Sequence, residues 1–481
     1  MLASRVCRTG WPRGALAWVL GAGLVLGVGL SGCGLINLFQ EDCLSAISLP
    51  PASDEPLSPI SAGLRYLVYT QFKTDQTGRN QVAYAGDWPQ CYTMAGTGMY
   101  VRDTNPFMAT YVHHALTLAR AEHQAVLQLT DAEIEVARNA REAAVGLMRR
   151  FESPADSPDA GTFGFWPVQR RSWQPGDVLL SMFVNDRWSN WSRPGDRAPV
   201  NVSFFPANHA IPSDADDTAL VYASFLDHAT FDGGPAVTVG FEQFFADWRD
   251  LGQVPLGEER SWLGSRSGTG AYLTWLAYLD DPARPELNHL DIVVNANVLY
   301  ALGRYGRLDT PGATDAVALI NEAILANVHR TDPDQLSLFY PDNIAVHHCV
   351  ARAYCEGGVS DLAPAVQGLV ADLLTTVRAD AAGHYYWDRG YPHLNTALAV
   401  LALLNAGHTG QIVDRAVDYL VAEQDPVYGP WDGGEFFGAR LNDIARVNWV
   451  SPALTTAMAI EALMAHRIMT SSPSGAPRFL P

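Results

Sequence analysis

The sequence predicts an all-α protein built as an (α/α)6 toroid of six inner and six outer helices. Segments with charges along one face alternate with segments that are almost wholly apolar and rich in alanine. The chain holds six segments of each kind, and most of the apolar ones open with Asp, Asn, Ser or Pro, which favour helix starts. The two kinds differ because one face of the first meets solvent, whereas the second is buried all round.

The helix positions follow from this alternation. The predicted outer helices cover residues 57–73, 131–152, 237–250, 312–329, 360–378 and 410–424. The predicted inner helices cover residues 104–121, 214–229, 290–304, 342–355, 392–406 and 451–466. An open solenoid of helix pairs is the alternative, but it needs polar caps at both ends, and six pairs is the number that closes into a ring.

In such a ring the inner helices run parallel, so their N-terminal ends share one rim around a central cavity. The long connections 153–213 and 251–289 fall on that rim. Long loops in a compact domain are often functional. These two are rich in tryptophan, and we expect them to be ordered and to cover part of the mouth. Their tryptophans are Trp166, Trp173, Trp188, Trp191, Trp262 and Trp275.

Composition limits the function classes. With 481 residues, of which 48% are hydrophobic, the chain can bury a large core. The formal charge of -19 argues against a nucleic-acid partner. Lys73 is the only lysine, so no other position can supply a phosphate-binding or Schiff-base lysine.

The N-terminus has the pattern of a targeting signal. A basic start precedes an apolar run at residues 14–29, which is short for a membrane-spanning helix. The next residues, Leu-Ser-Gly-Cys at 30–33, resemble the lipobox of bacterial lipoproteins. This resemblance implies that Cys33 carries a lipid and that residues 1–32 are removed. An ordinary signal peptide with a chance cysteine is the alternative.

The lipobox leads to an expected location and domain layout. Gly34 follows the cysteine where an inner-membrane retention signal would have Asp. We therefore expect a lipid-anchored protein of the cell envelope, periplasm-facing or at the surface, held at the outer membrane. Its expected parts are a tether at 33–56, the toroid at 57–468 and a flexible tail at 469–481.

Export permits disulfide bonds. Cys43 and Cys91 lie in the loop-rich early part and are able to pair. Cys349 and Cys355 are six residues apart on a predicted helix, so a bridge between them requires the helix to end there. No cysteine spacing matches a zinc pattern.

Three acids open the second inner helix in the stretch SDADDTAL, residues 213–220. Acids in the first turn of a helix offset its dipole, each by roughly 0.3–1 kcal/mol. Neighbouring carboxylates also repel one another, so in a dry site at least one should have a raised pKa. Asp214, Asp216 and Asp217 therefore form either a capped helix start or a Brønsted acid at a cavity rim.

The stretch Asp214-Ala215-Asp216-Asp217-Thr218-Ala219 matches the DxDDTA motif of class II terpene cyclases, including squalene–hopene cyclases. DYLVAEQDPVYGPW at 418–431 resembles the QW repeat of that family, and 150–166 and 373–387 resemble degenerate copies that lack the Gln. The family's repeats lie on α/α toroids, in agreement with the helix count.

The resemblance implies roles for specific residues. Asp216 would be the general acid that protonates an alkene or epoxide of an isoprenoid-like substrate, and Asp214 and Asp217 would hold and tune it. An aromatic-lined cavity would stabilise the resulting carbocation. A hydroxyl or imidazole partner for Asp216 is expected, and Tyr111, His209 and His347 are the candidates. The resemblance implies no cofactor.

Other buried polar and aromatic residues are candidates for the cavity wall. Asn295, Trp387 and Trp431 join the three partner candidates in this set. For each, a satisfied core group or a packing residue is the alternative. Two His-His pairs, at 113–114 and 347–348, invite a metal site, but adjacent helical residues point about 100° apart. We therefore predict no metal.

Two further function classes stay open. The first is a polysaccharide hydrolase or lyase, which needs a second carboxylate about 5–9.5 Å from the first across the cavity. The candidates are Asp388, Asp432, Glu435 and Asp443. The second is a non-catalytic lipoprotein that binds a partner or a ligand, with large side chains filling its cavity. The expected ligand is hydrophobic or, for the glycan enzyme, a carbohydrate.

Overall fold

The computed structural model describes residues 47–53, 56–78, 81–94, 100–155, 160–165, 168–169, 187–188, 213–237, 240–252, 262–263, 268–276, 288–340, 344–440 and 446–471. The predicted signal peptide, Cys33, Cys43 and His209 lie outside these residues.

The helices and strands are given in chain order. The helices are α1 Pro59–Thr70, α2 Pro106–Leu116, α3 Gln124–Leu127, α4 Asp131–Met148, α5 Ala215–Phe231, α6 Glu242–Asp247, α7 Ile292–Arg304, α8 Ala313–Leu325, α9 Val328–Thr331, α10 Pro333–Leu336, α11 Ala345–Cys355, α12 Ala363–Thr376, α13 Pro392–Asn405, α14 Gln411–Glu423 and α15 Pro452–Ser471. The strands are β1 Gln76–Gly78, β2 Gln81–Ala83, β3 Cys91–Met94, β4 Tyr100–Arg102, β5 Val168–Gln169, β6 Arg187–Trp188, β7 Arg378–Ala379, β8 Tyr385–Tyr386, β9 Gly434–Arg440 and β10 Arg446–Ser451.

In the described part of the chain, six helices form a closed inner ring: α2, α5, α7, α11, α13 and α15. Each packs against the next, and α15 packs against α2 to close the ring. Nearly every residue of these helices is buried. They match the six predicted inner segments, so the predicted toroid is confirmed. Among the helices that the structure describes, none has the length and apolar character needed to cross a bilayer.

The outer helices pack on the outside of this ring. Helix α1 lies against α15, α4 against α2, α8 against α7, α12 against α11, and α14 against α13. The prediction of a full outer helix at 237–250 is wrong, since only the short α6 forms there. After α6 the chain continues in an extended conformation, stabilised by two backbone hydrogen bonds. The N–H of Leu273 donates to the carbonyl of Trp248, and the N–H of Asp250 donates to the carbonyl of Ala271.

The sequence does not predict an antiparallel sheet at the mouth of the ring, which has the strand order β4-β3-β10-β9. Strands β3 and β4 precede α2, and β10 runs directly into α15, so the sheet lies at the N-terminal rim of the inner helices. Phe436 and Phe437 of β9 pack on Phe107 in the first turn of α2, with ring centroids 6.0 and 4.6 Å apart. The sheet therefore covers part of the mouth.

Two tryptophans of the predicted repeats tie outer helices to inner ones. The indole N–H of Trp387 donates to the carbonyl of Leu373 on α12, and that of Trp431 donates to Leu420 on α14. Their backbone N–H groups donate to the hydroxyls of Thr396 and Thr456 on the inner helices that follow. Both rings are buried by these contacts.

A further copy of the repeat stands at the start of the toroid. Tyr-Leu-Val-x-x-Gln occurs at 66–71 and at 419–424, and each is followed by Gly-x-Trp, at 86–88 and 429–431. Trp88 donates to the carbonyl of Leu67 on α1, as Trp431 does on α14.

The glutamine of each copy bridges two outer helices. The Gln71 amide donates to the carbonyls of Gly86 and Ala140, the second of which lies on α4. The Gln424 amide donates to Gly429 at 2.7 Å and to Pro59, the first residue of α1, at 2.9 Å. Each glutamine thus fixes its own loop and the next outer helix.

The cysteines divide into bonded and thiol forms. Cys91 is disulfide-bonded, and its predicted partner Cys43 lies outside the described residues. Helix α11 continues without a break from Cys349 to Cys355, which keeps the two on different faces. Cys349 is a buried free thiol.

Gly429 has a φ of +90°, and a Cβ there would lie 2.3 Å from the Ala62 carbonyl oxygen. Gly407 has a similar φ of +79° but faces open space. We predict that Gly407→Ala costs about 1–2 kcal/mol, the strain of a left-handed backbone. Gly429→Ala should cost ~2 kcal/mol more, since its methyl group overlaps a backbone atom.

Urea denaturation of the two variants beside the wild type measures these costs. Equal free energies of unfolding for the two variants would contradict the prediction, because the overlap of the new methyl group with the Ala62 carbonyl would then cost no stability.

Candidate active site

Asp214 is the N-cap of α5. Its Oδ1 accepts a hydrogen bond from the backbone N–H of Asp217 at 2.7 Å, and the helix begins at the following residue. The interpretation as a capped helix start is therefore right for Asp214. Asp217 is buried in the first turn of the same helix.

Asp216 has different surroundings, because its carboxyl contacts other inner elements of the ring. One oxygen, Oδ1, accepts a hydrogen bond from the amide of Asn297 on α7 at 2.6 Å. The other, Oδ2, accepts one from the hydroxyl of Tyr340, which stands just ahead of α11. Only 7% of the residue is exposed. The three acids of the motif therefore have separate environments.

Burial and, to a smaller extent, the nearby charge of Asp214 raise the pKa of Asp216 from 3.8 to about 7. The hydrogen bonds from Tyr340 and Asn297 oppose this shift because they favour the ionised form. A carboxyl group with a pKa near neutrality is populated in both protonation states and is suited to general acid–base chemistry.

A buried arginine fixes the orientation of the Asn297 amide. An Nη2–H of Arg352 donates to the Asn297 carbonyl oxygen at 2.8 Å and to the Tyr111 hydroxyl at 3.2 Å. Because the carbonyl oxygen of the amide is occupied by Arg352, its NH₂ group is directed at Asp216. The guanidinium also lies over the rings of Tyr111 and Tyr300, 4.8 and 4.5 Å from their centroids.

Aromatic rings surround this network on the side of the mouth. The ring of Tyr340 lies 5.7 Å from both Phe107 and Phe436, measured between centroids. Tyr111 lies 5.1 Å from Phe107 and 4.9 Å from Phe436. Ring faces attract cations in a desolvated site. The carboxyl of Asp216 therefore adjoins an aromatic cluster, here defined as Phe107, Tyr111, Tyr340 and Phe436.

The predicted partner residues lie in different places. Tyr111 belongs to the network, 3.5 Å from the Asn297 amide nitrogen. His347 does not, because its Nε2 lies 2.8 Å from a carboxylate oxygen of Asp372 on the outer helix α12. The amide of Asn295 exchanges hydrogen bonds with the backbone of Tyr272, which it holds at the rim.

Tyr340, Asn297 and Arg352 are the site residues that sequence reasoning missed as partners of Asp216. Tyr340 lies 124 positions further along the chain, so no local pattern joins the two. Asn297 and Arg352 did leave a signal, because each is a polar residue within an apolar helical segment. Such residues must find partners inside the ring.

The carboxylates proposed for a polysaccharide enzyme lie elsewhere. Asp388 is paired with Arg378 at 3.0 Å, and the side chain of Asp432 is 96% exposed. Glu435 accepts a hydrogen bond from Asn448 within the sheet. Asp443 lies outside the described residues. No observed contact brings the described candidates to Asp216.

No protein-family model matches the sequence, and the search of curated proteins finds no match. Among solved structures, the chain is similar to a variant of type II terpene cyclase MstE from Scytonema in complex with geranylgeranyl dihydroxybenzoate, its substrate, at 13% identity and a TM-score of 0.47. That match covers 85% of this chain and 97% of the other. The apo form of MstE is similar at 13% identity and a TM-score of 0.46, covering 84% and 96%.

The raised pKa of Asp216 predicts a pH-dependent effect on stability. The pKa of the Asp216 carboxyl is higher in the folded state, at about 7, than the 3.8 of the unfolded state. The free energy of unfolding of the protein therefore falls as the pH rises between these two values. Asp216→Asn removes this loss. The stability of the variant relative to wild type should therefore rise by about 2–3 kcal/mol between pH 5 and pH 8.

Thermal denaturation across this pH range measures the difference. Asp131→Asn, which makes the same substitution at an exposed acid in the first turn of α4, is the matched control. A difference for Asp216→Asn that stays constant with pH would contradict the raised pKa.

Proposed function

We propose that this protein is a cyclase of the class II terpene-cyclase type, in which Asp216 protonates a terminal alkene or epoxide of an isoprenoid-like substrate. The observation that carries the proposal is the buried carboxyl of Asp216, held by Asn297 and Tyr340 beside the aromatic cluster, with a pKa near 7. The match to the DxDDTA motif supports the same residue.

The proposed first step moves one proton. The O–H bond of protonated Asp216 breaks as a C–H bond forms on the alkene, or as an epoxide oxygen is protonated and its C–O bond opens. The product is a carbocation, and the carboxylate left behind accepts hydrogen bonds from Asn297 and Tyr340. The faces of the aromatic cluster stabilise positive charge as ring closure moves it along the substrate.

We infer that substrate entry involves a movement at the mouth. The rings of Phe436 and Phe437 pack against Phe107, and Phe436 also contacts Tyr111 and Tyr340 of the network. A movement of β9 away from α2 would open a path to the carboxyl of Asp216. Closure afterwards excludes water, which would otherwise capture the cation.

We predict that Asp216→Asn abolishes product formation, since the amide cannot donate the proton.

Tyr340→Phe should shift the pH profile of activity to higher pH, because the lost hydrogen bond normally lowers the pKa of Asp216. Tyr222→Phe is the control, since that hydroxyl donates to the Gly161 carbonyl instead. Squalene, its 2,3-epoxide and geranylgeraniol serve as probes, with cyclic products detected by gas chromatography and mass spectrometry.

The packing at the mouth favours a second candidate, a non-catalytic binding module. In that case the wild type would convert none of the probes, and Asp216→Asn would leave the binding of a polyprenoid probe unchanged. Cyclic product from the wild type that disappears in Asp216→Asn excludes this candidate.

We also propose that Cys33 carries the lipid anchor and that the toroid faces the periplasm or the cell surface from the outer membrane. The lipobox-like stretch at 30–33 supports this proposal. Cys33→Ala should move the protein from the membrane fraction to the soluble fraction, while the control Cys355→Ala stays with the membrane. Immunoblots of fractionated cells measure this, and membrane retention of Cys33→Ala would contradict the anchor.

A further inference from the structure

A second buried cluster lies inside the ring, apart from Asp216. It joins His114 of α2, Glu356 directly after α11, and Glu461 in the middle of α15. All three residues are buried, and one ligand atom from each lies within 4.8 Å of the other two. Neither Asn297 nor Tyr340, the partners of Asp216, belongs to this cluster.

The donor atoms of the three residues lie close enough together to bind one ion after small side-chain adjustments. The His114 Nε2 atom lies 3.3 Å from Glu356 Oε2 and 3.6 Å from Glu461 Oε1. Hydrogen bonds between charged partners are shorter, at about 2.7–2.9 Å. Two atoms each about 2.1 Å from a common metal, at angles of about 90–120°, are separated by roughly 3.0–3.6 Å.

The other nitrogen of the same imidazole faces a carboxylate. His114 Nδ1 lies 3.6 Å from Asp227 Oδ2, and Asp227 is held in place by Arg304 at 2.5 Å. A carboxylate behind a metal-binding histidine is common, because it sets the tautomer that leaves the second nitrogen for the metal. Here it directs Nε2 towards the two glutamates.

The cluster brings two acidic side chains together inside the ring. Glu356 and Glu461 place two carboxylates in the dry interior, where a charge must be paired or must coordinate a metal. Arg304, which pairs with Asp227, and Arg352 both interact electrostatically with Glu356. A divalent ion held by both glutamates would compensate their charge together with these arginines.

We propose that His114, Glu356 and Glu461 bind one divalent transition-metal ion of the Zn²⁺ type. Imidazole and carboxylate donors together suit Zn²⁺ and its neighbours Co²⁺, Mn²⁺ and Fe²⁺. The ion links α2 and α15, the two helices whose contact closes the ring, to the end of α11. This site goes beyond the proposed function and does not depend on it.

The sequence predicts no metal because the two histidines at 113–114 point in different directions. This prediction concerned His113 and His114 as joint ligands of one ion. The proposed site uses only His114 and takes its other ligands from residues more than 200 positions away.

The test uses the full-length protein with Co²⁺ as a spectroscopic probe. We expect about one equivalent of metal in the purified protein by mass spectrometry, and visible absorption bands after chelation and reloading with Co²⁺. Chelation should lower the melting temperature of the wild type by several degrees. Glu461→Gln should weaken Co²⁺ binding by at least about 10-fold.

His113→Asn is the matched control, since it changes a buried histidine next to His114 and should keep the Co²⁺ bands. A wild type without metal, without Co²⁺ bands and with a melting temperature unaffected by chelation would overturn the proposal and leave a closed charge network. Unchanged Co²⁺ binding in Glu461→Gln would overturn it as well. None of these measurements depends on activity towards the polyprenoid probes, so the metal site and the proposed function are tested separately.

Discussion

The contact between α15 and α2 closes the ring, and the chemistry of the interior depends on that closure. An open series of the same helix pairs would expose the inward faces of its two ends to water. In the closed ring, the polar side chains that point inward are removed from bulk solvent and must bond to one another. The network of Asp216, Asn297, Arg352, Tyr111 and Tyr340 follows from this constraint.

Closure also explains why a short acidic stretch divides into different roles. Asp214 caps α5, and its carboxylate is used by the backbone of that helix. Asp216, two residues on, points into the ring, where burial moves its pKa from 3.8 to about 7. That shift corresponds to about 4 kcal/mol of lost preference for the ionised form. A helix start and an acid site can therefore share one stretch of sequence.

The repeats on the outside maintain the ring. Gln71 and Gln424 each bond their own loop and the next outer helix, and their tryptophans bond back to the helix before. The link from Gln424 to Pro59 joins the last outer helix to the first. The outer layer is thereby closed by hydrogen bonds at the same junction where α15 meets α2.

The helices of the toroid were predictable because their signal is local. Charged and apolar faces alternate along each outer segment, and capping residues mark the helix starts. The first copy of the repeat could also have been predicted from the sequence, since Tyr-Leu-Val-x-x-Gln recurs at 66–71 and 419–424. The sheet at the mouth and the pairing of Asp216 with Tyr340 were not predictable. They join segments more than 100 residues apart, and their partners are chosen by the closed ring.

We expect the closed interior to keep Asp216 protonated up to near neutral pH. Infrared difference spectroscopy of protein labelled with ¹³C-carboxyl aspartate measures this directly, with the Asp216 band assigned by its loss in Asp216→Asn. We predict a protonated-carboxyl band that persists at pH 6 and disappears with a midpoint near pH 7. A band that is already absent at pH 6, with a midpoint near 4, would contradict it.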